Sequence, residues 1–280
     1  MVRYISLLLF IGLAWGQVDT LWTKTFGGSQ HDLGRCLQQT SDGGFIIAGE
    51  TNSFGNGGWD LWLIKTDADG NSEWEITYGS AGDTTISVGG GELVQQTSDG
   101  GYIFTCTKNW PANTGSGEAS SIWLVKINPN GDILWTKTIS ISDDDGAHAV
   151  LQTEDTGFIV LASVNSSTML IKTDSDGDTL WTNSYDGRGG DFVQASDFGY
   201  AITGSKSISN ELVWFLKTDE NGVQDTSITY NGAMTDNGNF ILETNDRGFV
   251  ITGSEFNGMG GELLKLIKTD SLGNQQWNKT

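Results

Sequence analysis

The chain repeats one pattern of residues five times, and this repetition constrains its fold more than any single residue does. In the first copy, Ser41-Asp42-Gly43-Gly44 precedes an apolar run, Lys65 ends a second apolar run, and Trp74 follows a second Asp-Gly turn. From Trp22 onward, equivalent tryptophans lie 52, 61 and 46 residues apart, and the last gap of 96 spans two copies. A period of about 50 residues is typical of β-propeller blades and other repeat arrays. The repeat therefore predicts an architecture without naming a ligand.

Each copy contains four short runs of apolar and β-branched residues, separated by Gly, Asn, Asp and Ser, as expected for strands and turns. In the first copy these runs lie near 34–40, 44–51, 60–66 and 71–78, and we name them strands a, b, c and d. The a–b and c–d connections have the Asp and Gly chemistry of tight hairpin turns. The sequence therefore predicts an all-β fold, a β-propeller of four-stranded antiparallel blades. The five repeats lie at about 28–79, 80–139, 140–185, 186–230 and 231–280.

The number of predicted strands does not fit a simple closed ring. Five a–b–c sets are visible, but there are six d segments, because 21–27 resembles strand d at the front and 275–280 does so at the back. In a closed ring the leading segment would complete the last blade and leave 275–280 without a place. The count favours further blades in a longer protein, and a five-bladed ring with a doubled edge is the alternative.

Residues 1–16 have the layout of a secretory signal peptide, with Arg3 before an apolar run and small residues on both sides of Trp15. The remaining residues, 17–280, would form the propeller domain. The apolar run is about half of the roughly 20 residues that a membrane-spanning helix needs. We therefore expect a secreted protein, extracellular or at the cell surface, with no membrane insertion.

The chain carries 35 acidic and 15 basic residues, a net charge of −20. Such a surface repels phosphate backbones and anionic lipids, so nucleic acid is not an expected partner. The two cysteines, Cys36 and Cys106, occupy non-equivalent positions in the first two repeats. Export permits a disulfide between them, and burial as free thiols is the alternative.

Three segments carry a resemblance to known proteins: Trp22–Gly28, Gln38–Gly49 and Leu63–Asp67. Together they resemble the repeats of a large group of secreted bacterial and archaeal β-propeller-like proteins, and the resemblance covers nearly all of the chain after residue 16. Members of that group often carry a type IX secretion or sorting domain or adhesive modules, and some are labelled endoglucanase-like or quinoprotein-like. The resemblance implies a propeller fold and an extracellular setting, and it supplies no catalytic residues.

Every copy has a turn aspartate and a strand-c lysine, and most copies have a strand-d tryptophan. A ligand rarely needs five lysines, whereas a structural ion pair can be needed once per blade. We therefore interpret the Asp and Lys residues as ion pairs within or between blades and the Trp residues as packing between blades. The full set is Asp42, Lys65, Trp74, Asp99, Lys126, Trp135, Asp155, Lys172, Trp181, Asp197, Lys217, Asp246, Lys268 and Trp277.

Two c–d turns place oxygen side chains at alternate positions, as hard cations require. They contain Asp67 and Asp69 in the first repeat and Asp174, Asp176 and Asp178 in the third. The other copies vary in acidity while they keep the glycine, which is the behaviour of a turn. A structural turn is therefore favoured at these positions, with a calcium site as the alternative, and no other cofactor is predicted.

No nucleophile motif, zinc spacing or phosphate-binding loop is present, so no catalytic residue is predicted. The b–c and d–a connections vary in length between copies, and variable loops commonly carry recognition. Aromatic residues on that face, Phe54, Trp59, Trp110 and Phe256, are the predicted ligand-binding residues. The alternative is that Trp59 and Trp110 only cover the edges of blades.

The sequence favours a secreted, non-enzymatic module that binds or adheres to carbohydrate or an extracellular protein. The alternative is an extracellular polysaccharide-degrading enzyme, or its accessory domain, that uses carboxylates. The third possibility is an architectural spacer in a surface protein.

Overall fold

The computed structural model describes residues 22–56, 58–79, 86–87, 93–109, 120–207, 211–230, 236–256 and 261–280. All regular secondary structure in these ranges is β. The strands form five separate antiparallel sheets, and in each sheet the strand order follows the chain. The predicted all-β fold of four-stranded antiparallel units is therefore confirmed. The same ranges contain no helix with the length and hydrophobicity needed to cross a bilayer.

We call the five sheets blades 1 to 5. Blade 1 consists of β1 (Asp32–Gln39), β2 (Phe45–Thr51), β3 (Asp60–Thr66) and β4 (Ser72–Tyr78). Blade 2 has an interrupted first strand and consists of β5 (Ile86–Ser87), β6 (Val94–Gln96), β7 (Tyr102–Asn109), β8 (Ser120–Ile127) and β9 (Ile133–Ile139). The blade 1 strands agree with the sequence-based boundaries to within two residues.

The last three blades repeat the same order. Blade 3 consists of β10 (Asp145–Gln152), β11 (Phe158–Val164), β12 (Ser167–Thr173) and β13 (Thr179–Tyr185). Blade 4 consists of β14 (Arg188–Gln194), β15 (Tyr200–Ser207), β16 (Glu211–Thr218) and β17 (Gln224–Tyr230). Blade 5 consists of β18 (Asn237–Glu243), β19 (Phe249–Phe256), β20 (Glu262–Thr269) and β21 (Gln275–Lys279).

Local turn chemistry explains where the strands end. In the first a–b turn, Asp42 Oδ1 accepts the backbone N–H of Gly44, and Gly43 adopts a φ of 85°, which favours glycine. In the first c–d turn, Asp67 Oδ1 accepts the backbone N–H groups of Asp69 and Asn71. These side chains satisfy backbone donors that would otherwise lack partners in a tight turn.

The hydrophobic core is divided into four clusters, one at each junction between consecutive blades. At the junction of blades 3 and 4, the Tyr185 hydroxyl donates to the carbonyl of Gly222 at 2.5 Å. A Cβ on Gly222 would lie 2.7 Å from the Trp181 ring, so only glycine leaves room for that ring. Each blade therefore buries its faces against its neighbours, because a single four-stranded sheet has no core of its own.

A buried lysine ties strand c to the a–b turn of the same blade. Lys65 is 3% exposed, and its Nζ lies 2.8 Å from Asp42 Oδ2 while it also donates to the carbonyl oxygen of Thr66. The equivalent pairs lie 2.8 to 3.0 Å apart within the other four blades: Lys126–Asp99, Lys172–Asp155, Lys217–Asp197 and Lys268–Asp246. Each ammonium is buried, whereas its carboxylate partner remains in contact with solvent.

The first and last blades have unlike outer faces. Residues 22–28 form no strand, so the expected leading strand d is wrong for this segment. The segment nevertheless lies where a preceding strand d would pack, with the Trp22 ring 6.0 Å from Phe45 and Lys24 donating to Asn71. The segment is not a strand because it pairs with no strand in the described part of the chain. At the other end, Leu264 is 74% exposed, whereas its equivalent Leu61 is 1% exposed in a core cluster.

We predict that Lys126→Met lowers the free energy of unfolding by about 1–3 kcal/mol, measured by urea denaturation. The loss stays below that of a fully buried pair because the abandoned Asp99 side chain is 57% exposed and can be hydrated. Burial tends to raise the pKa of Asp99, but hydrogen bonds from Thr97 and Lys126 outweigh it and lower that pKa to about 2. The difference between wild type and variant should therefore shrink as pH falls from about 4 towards 2. An unchanged difference across that range would contradict the ion-pair interpretation.

We also predict that the protein loses stability in alkali. Burial raises the pKa of the Tyr78 hydroxyl to about 12 from an ordinary value of 10.0, and it raises the pKa of Tyr185 and Tyr230 as well. The unfolded chain therefore releases these protons first, and stability should fall as pH rises from about 10 to 12. The urea midpoint should decrease over that range, and it should decrease less in Tyr78→Phe.

Candidate functional site

The aromatic residues predicted to bind a ligand occupy different settings. Phe54 is exposed, and its ring centroid lies 5.5 Å from that of Trp62. Trp59 is half-buried, and Phe256 is the last residue of β19. Trp110 lies outside the described residues, as do most of the variable loops of that face. Binding at this face stays a prediction.

In the two candidate calcium turns, the carboxylates of Asp67, Asp174 and Asp178 accept hydrogen bonds from the protein. Asp174 Oδ1 accepts the backbone N–H groups of Asp176 and Asp178, in the same way that Asp67 serves its own turn. Asp178 also accepts a hydrogen bond from Lys137 of the preceding blade at 2.5 Å. The described ranges contain no group of three or more side chains arranged to hold a metal ion.

No disulfide joins Cys36 and Cys106. Cys106 is fully buried in the cluster between blades 1 and 2, where burial raises the pKa of its thiol to about 12. Cys36 packs against the same cluster. A thiol with such a pKa is protonated at neutral pH, so Cys106 serves as a small apolar side chain.

A groove of about 290 Å³ opens between blades 3 and 4, on the face that carries the a–b and c–d turns. Blade 3 provides its a–b turn and the start of β13, and blade 4 provides both of its turns and the start of β15. The lining residues are Thr153, Glu154, Asp155, Lys172, Leu180, Trp181, Gln194, Phe198, Tyr200, Glu220 and Asn221. The equivalent groove between blades 4 and 5 is about 140 Å³ and carries Arg247 at the position of Phe198.

Three residues of the larger groove depart from the repeat pattern. Glu154 belongs to blade 3, whereas Phe198 and Glu220 belong to blade 4, and all three line the same groove. The equivalent residues are Ser41, Ser98, Ser196 and Asn245 for Glu154; Gly43, Gly100, Thr156 and Arg247 for Phe198; and Ala68, Pro129, Ser175 and Ser271 for Glu220. Folding of the repeat does not require an acidic, aromatic and acidic residue there, because the other blades form without them.

The substitution at Glu154 accompanies a change in how the blades are joined. At the first junction, the backbone N–H of Ser41 donates to Gln96 Oε1 at 2.7 Å, and Ser98 and Ser196 make the equivalent bond to a glutamine or glutamate of the next blade. In the described part of the chain, no hydrogen bond joins Glu154 to Gln194, which holds the accepting position in blade 4. The groove therefore opens at a junction where this link is missing.

Phe198 is held in an unfavourable backbone conformation. Its φ is 68°, in the left-handed region that a bulky aromatic residue rarely adopts. Its side chain is nevertheless 48% exposed, so little burial offsets the strain. Gln194 Nε2 donates to the Phe198 carbonyl and helps to hold the turn. Thr156 and Arg247 adopt a φ of 67° and 63° at the equivalent positions, so the positive φ belongs to the repeated turn, and the feature particular to this groove is an exposed aromatic side chain at that position.

The rest of the groove provides an aromatic wall and a negative potential. The Trp181 and Tyr200 ring centroids lie 6.5 Å apart, and burial raises the pKa of Tyr200 to about 12, so its hydroxyl stays protonated. At the base, Lys172 donates to both carboxylate oxygens of Asp155, at 3.0 and 2.8 Å. The pair neutralises itself, and the exposed carboxylates of Glu154 and Glu220 leave the groove acidic.

The repeat predicts structural roles for Asp155, Lys172 and Trp181, and all three line this groove. Glu154, Phe198 and Glu220 were not among the predicted site residues. Their signal was present as departures from the repeat at positions where the other copies are small or polar. Without the arrangement of the blades, these departures lie 22 to 66 residues apart and nothing indicates that they meet.

No family model and no curated protein matches the chain. Among solved structures, it is similar to a Bacteroides caccae protein of unknown function, with a TM-score of 0.56, 11% identity and coverage of 89% of this chain and 82% of that one. It is similar to a Bifidobacterium bifidum protein provisionally named an exo-beta-1,3-galactanase, with a TM-score of 0.52, 15% identity and coverage of 86% and 90%. The β-propeller domain of the Trilobed protease from Pyrococcus furiosus has a TM-score of 0.49 and 9% identity, with coverage of 88% and 70%.

These likenesses concern the fold. Five consecutive four-stranded antiparallel sheets, each packed against the next, have the architecture of a β-propeller.

We predict that Phe198→Gly raises the free energy of unfolding by about 1 kcal/mol, because glycine adopts positive φ without the steric cost that phenylalanine incurs. Arg247→Gly is the matched control, since Arg247 occupies the same turn position in blade 5 with a φ of 63°. Urea denaturation of both variants measures the effect. A destabilised Phe198→Gly beside a stabilised Arg247→Gly would show that the Phe198 ring itself supports the fold.

Proposed function

We propose that this protein is a secreted, non-enzymatic β-propeller that binds carbohydrate through the groove between blades 3 and 4. The proposal rests on the convergence of Glu154, Phe198 and Glu220 on that groove. The other four copies of the same turns have different residues at these positions. The repeat serves as an internal control, because a residue needed only for folding should recur in it.

The groove has the chemistry of a sugar site. Phe198 and Trp181 offer aromatic faces that can stack on the apolar face of a sugar ring. Glu154, Glu220, Gln194 and Asn221 offer hydrogen-bonding groups for hydroxyls around the ring. In the described part of the chain, the Trp181 indole N–H makes no hydrogen bond, whereas Trp74 donates its own to the Pro129 carbonyl. The Trp181 donor is therefore available to a ligand.

The size of the groove supports a saccharide rather than a folded protein as the ligand. A volume of about 290 Å³ is at the lower end of small-molecule pockets, which begin at roughly 300 Å³. A stable protein interface needs about 800 Å² on each partner, much more than this groove offers. A short stretch of a longer glycan is the occupant that fits both the size and the chemistry.

The alternative of a polysaccharide-degrading enzyme would use the two groove glutamates as an acid and a base. A glycosidase acid usually lies in an apolar setting that keeps it protonated. Glu154 and Glu220 are both exposed to solvent, which favours binding over catalysis. Release of reducing ends from soluble polysaccharides would identify an enzyme and contradict the proposal.

The test uses the full chain against a set of immobilised neutral, acidic and amino oligosaccharides. We expect at least one class to bind, and we expect Phe198→Gly to weaken that binding about tenfold or more, because an aromatic stacking partner is lost. Arg247→Gly, which makes the same change in the next blade, should bind as the wild type does. Since Phe198→Gly is expected to be more stable, its loss of binding could not be attributed to unfolding. Unchanged binding in Phe198→Gly would refute the groove as the site.

A further inference from the structure

The charge balance of the groove contains more information about the ligand than its aromatic wall does. Three carboxylates, Glu154, Asp155 and Glu220, line the groove with a single ammonium, that of Lys172. Lys172 is 8% exposed and is already bonded to Asp155 and to the Thr173 carbonyl, so it is not available to a ligand. The two carboxylates that remain have no cationic partner among the lining residues.

Both of these carboxylates come from the residues that depart from the repeat. The other copies hold serine, asparagine, alanine or proline at the two positions, and none holds a basic residue. A neutral sugar would be served equally well by uncharged hydrogen-bonding side chains. An anionic sugar would be repelled by the groove and by the net charge of −20 on the chain. A positive charge on the ligand accounts for the acidic pair.

The aromatic wall would also attract a positively charged ligand. A cation within about 6 Å of an aromatic ring face is attracted to it, and the exposed Phe198 ring and the Trp181 ring are the faces available in this groove. An ammonium group also has three N–H donors, which can be shared between carboxylates as charge-assisted hydrogen bonds.

Resting on the proposed carbohydrate function, we propose that the groove selects amino sugars whose nitrogen is a free, protonated amine, as in glucosamine units of a glycan. The ammonium lies between the Glu154 and Glu220 carboxylates, and the sugar ring lies on Phe198 and Trp181. Acetylation of the amine removes both the charge and two of its three donors, so the acetylated sugar is a poor ligand.

The test measures binding of the full chain by calorimetry in a mildly acidic buffer in which sugar amines are protonated. Three probes of equal length are compared: oligomers of glucosamine, of N-acetylglucosamine and of glucose. We expect the glucosamine oligomer to bind about tenfold more tightly than the other two. We also expect its affinity to fall as salt is added, since the interaction is between exposed charges.

The variant Glu154→Gln/Glu220→Gln keeps the shape of the groove and removes its two unpaired charges. It should lose the preference for glucosamine and bind all three oligomers with similar affinity. Glu75→Gln changes the net charge by one unit on the exposed outer strand of blade 1 and should retain the preference.

The outcomes separate the two proposals. Equal or tighter binding of the acetylated or glucose oligomer by the wild type would overturn the amine selectivity and leave carbohydrate binding intact. Binding of none of the three, together with failure on the wider oligosaccharide set, would overturn both. Tight binding of a lysine oligomer at the groove, lost in the double variant, would replace the amino sugar with a basic peptide and would also overturn the inference.

Discussion

The contact between strand d of one blade and the c–d turn of the next holds this protein together. A tryptophan ring packs over a glycine that has no room for a Cβ, as Trp135 does over Gly177 and Trp181 does over Gly222. The same ring meets an aromatic residue at the start of the next strand b, as Trp135 meets Phe158 at 5.7 Å. At the junction of blades 4 and 5, where Thr226 replaces the tryptophan, Phe215 and Ile228 lie beside Gly273 instead. Because a single sheet cannot bury both of its faces, each blade depends on packing against a neighbour, and the core consists of four junctions rather than one interior.

The buried lysines stabilise single blades and not the contacts between blades. Their ammonium groups lie under the a–b turns and join strand c to the turn aspartate and to the backbone, as Lys217 does with Asp197 and the Thr218 carbonyl. A buried ammonium requires such partners, since its isolated charge would cost several kcal/mol. The turn face is consequently uniform from blade to blade. Against that uniform background, a substitution that serves no structural purpose is easy to recognise.

The groove between blades 3 and 4 has features that reduce stability and features that suit a ligand. The hydrogen bond from serine to a glutamine or glutamate that joins the other blades is missing, and an exposed phenylalanine is held at a φ of 68°. Both features reduce stability, yet they open a space lined by aromatic faces and free carboxylates. The packing contacts and ion pairs that recur in the other blades keep the domain folded despite this local loss of stability. The proposed site thus lies on the face with short, uniform turns, opposite the variable loops for which ligand binding stays a prediction.

The period, the four strands of each copy and the residues of the turns can be predicted from the sequence, because these depend on local alternation, on glycine at positive φ and on aspartates that bond their own turns. The Asp42 and Lys65 pair can be predicted as well, because its members belong to one hairpin-linked sheet. The three-dimensional arrangement of the blades was needed to show that Glu154, Phe198 and Glu220 share a groove, because turns of adjacent blades meet in space although they are distant in the chain. It also decided that residues 22–28 form no strand, since a strand needs a partner sheet and sequence pattern alone cannot supply one.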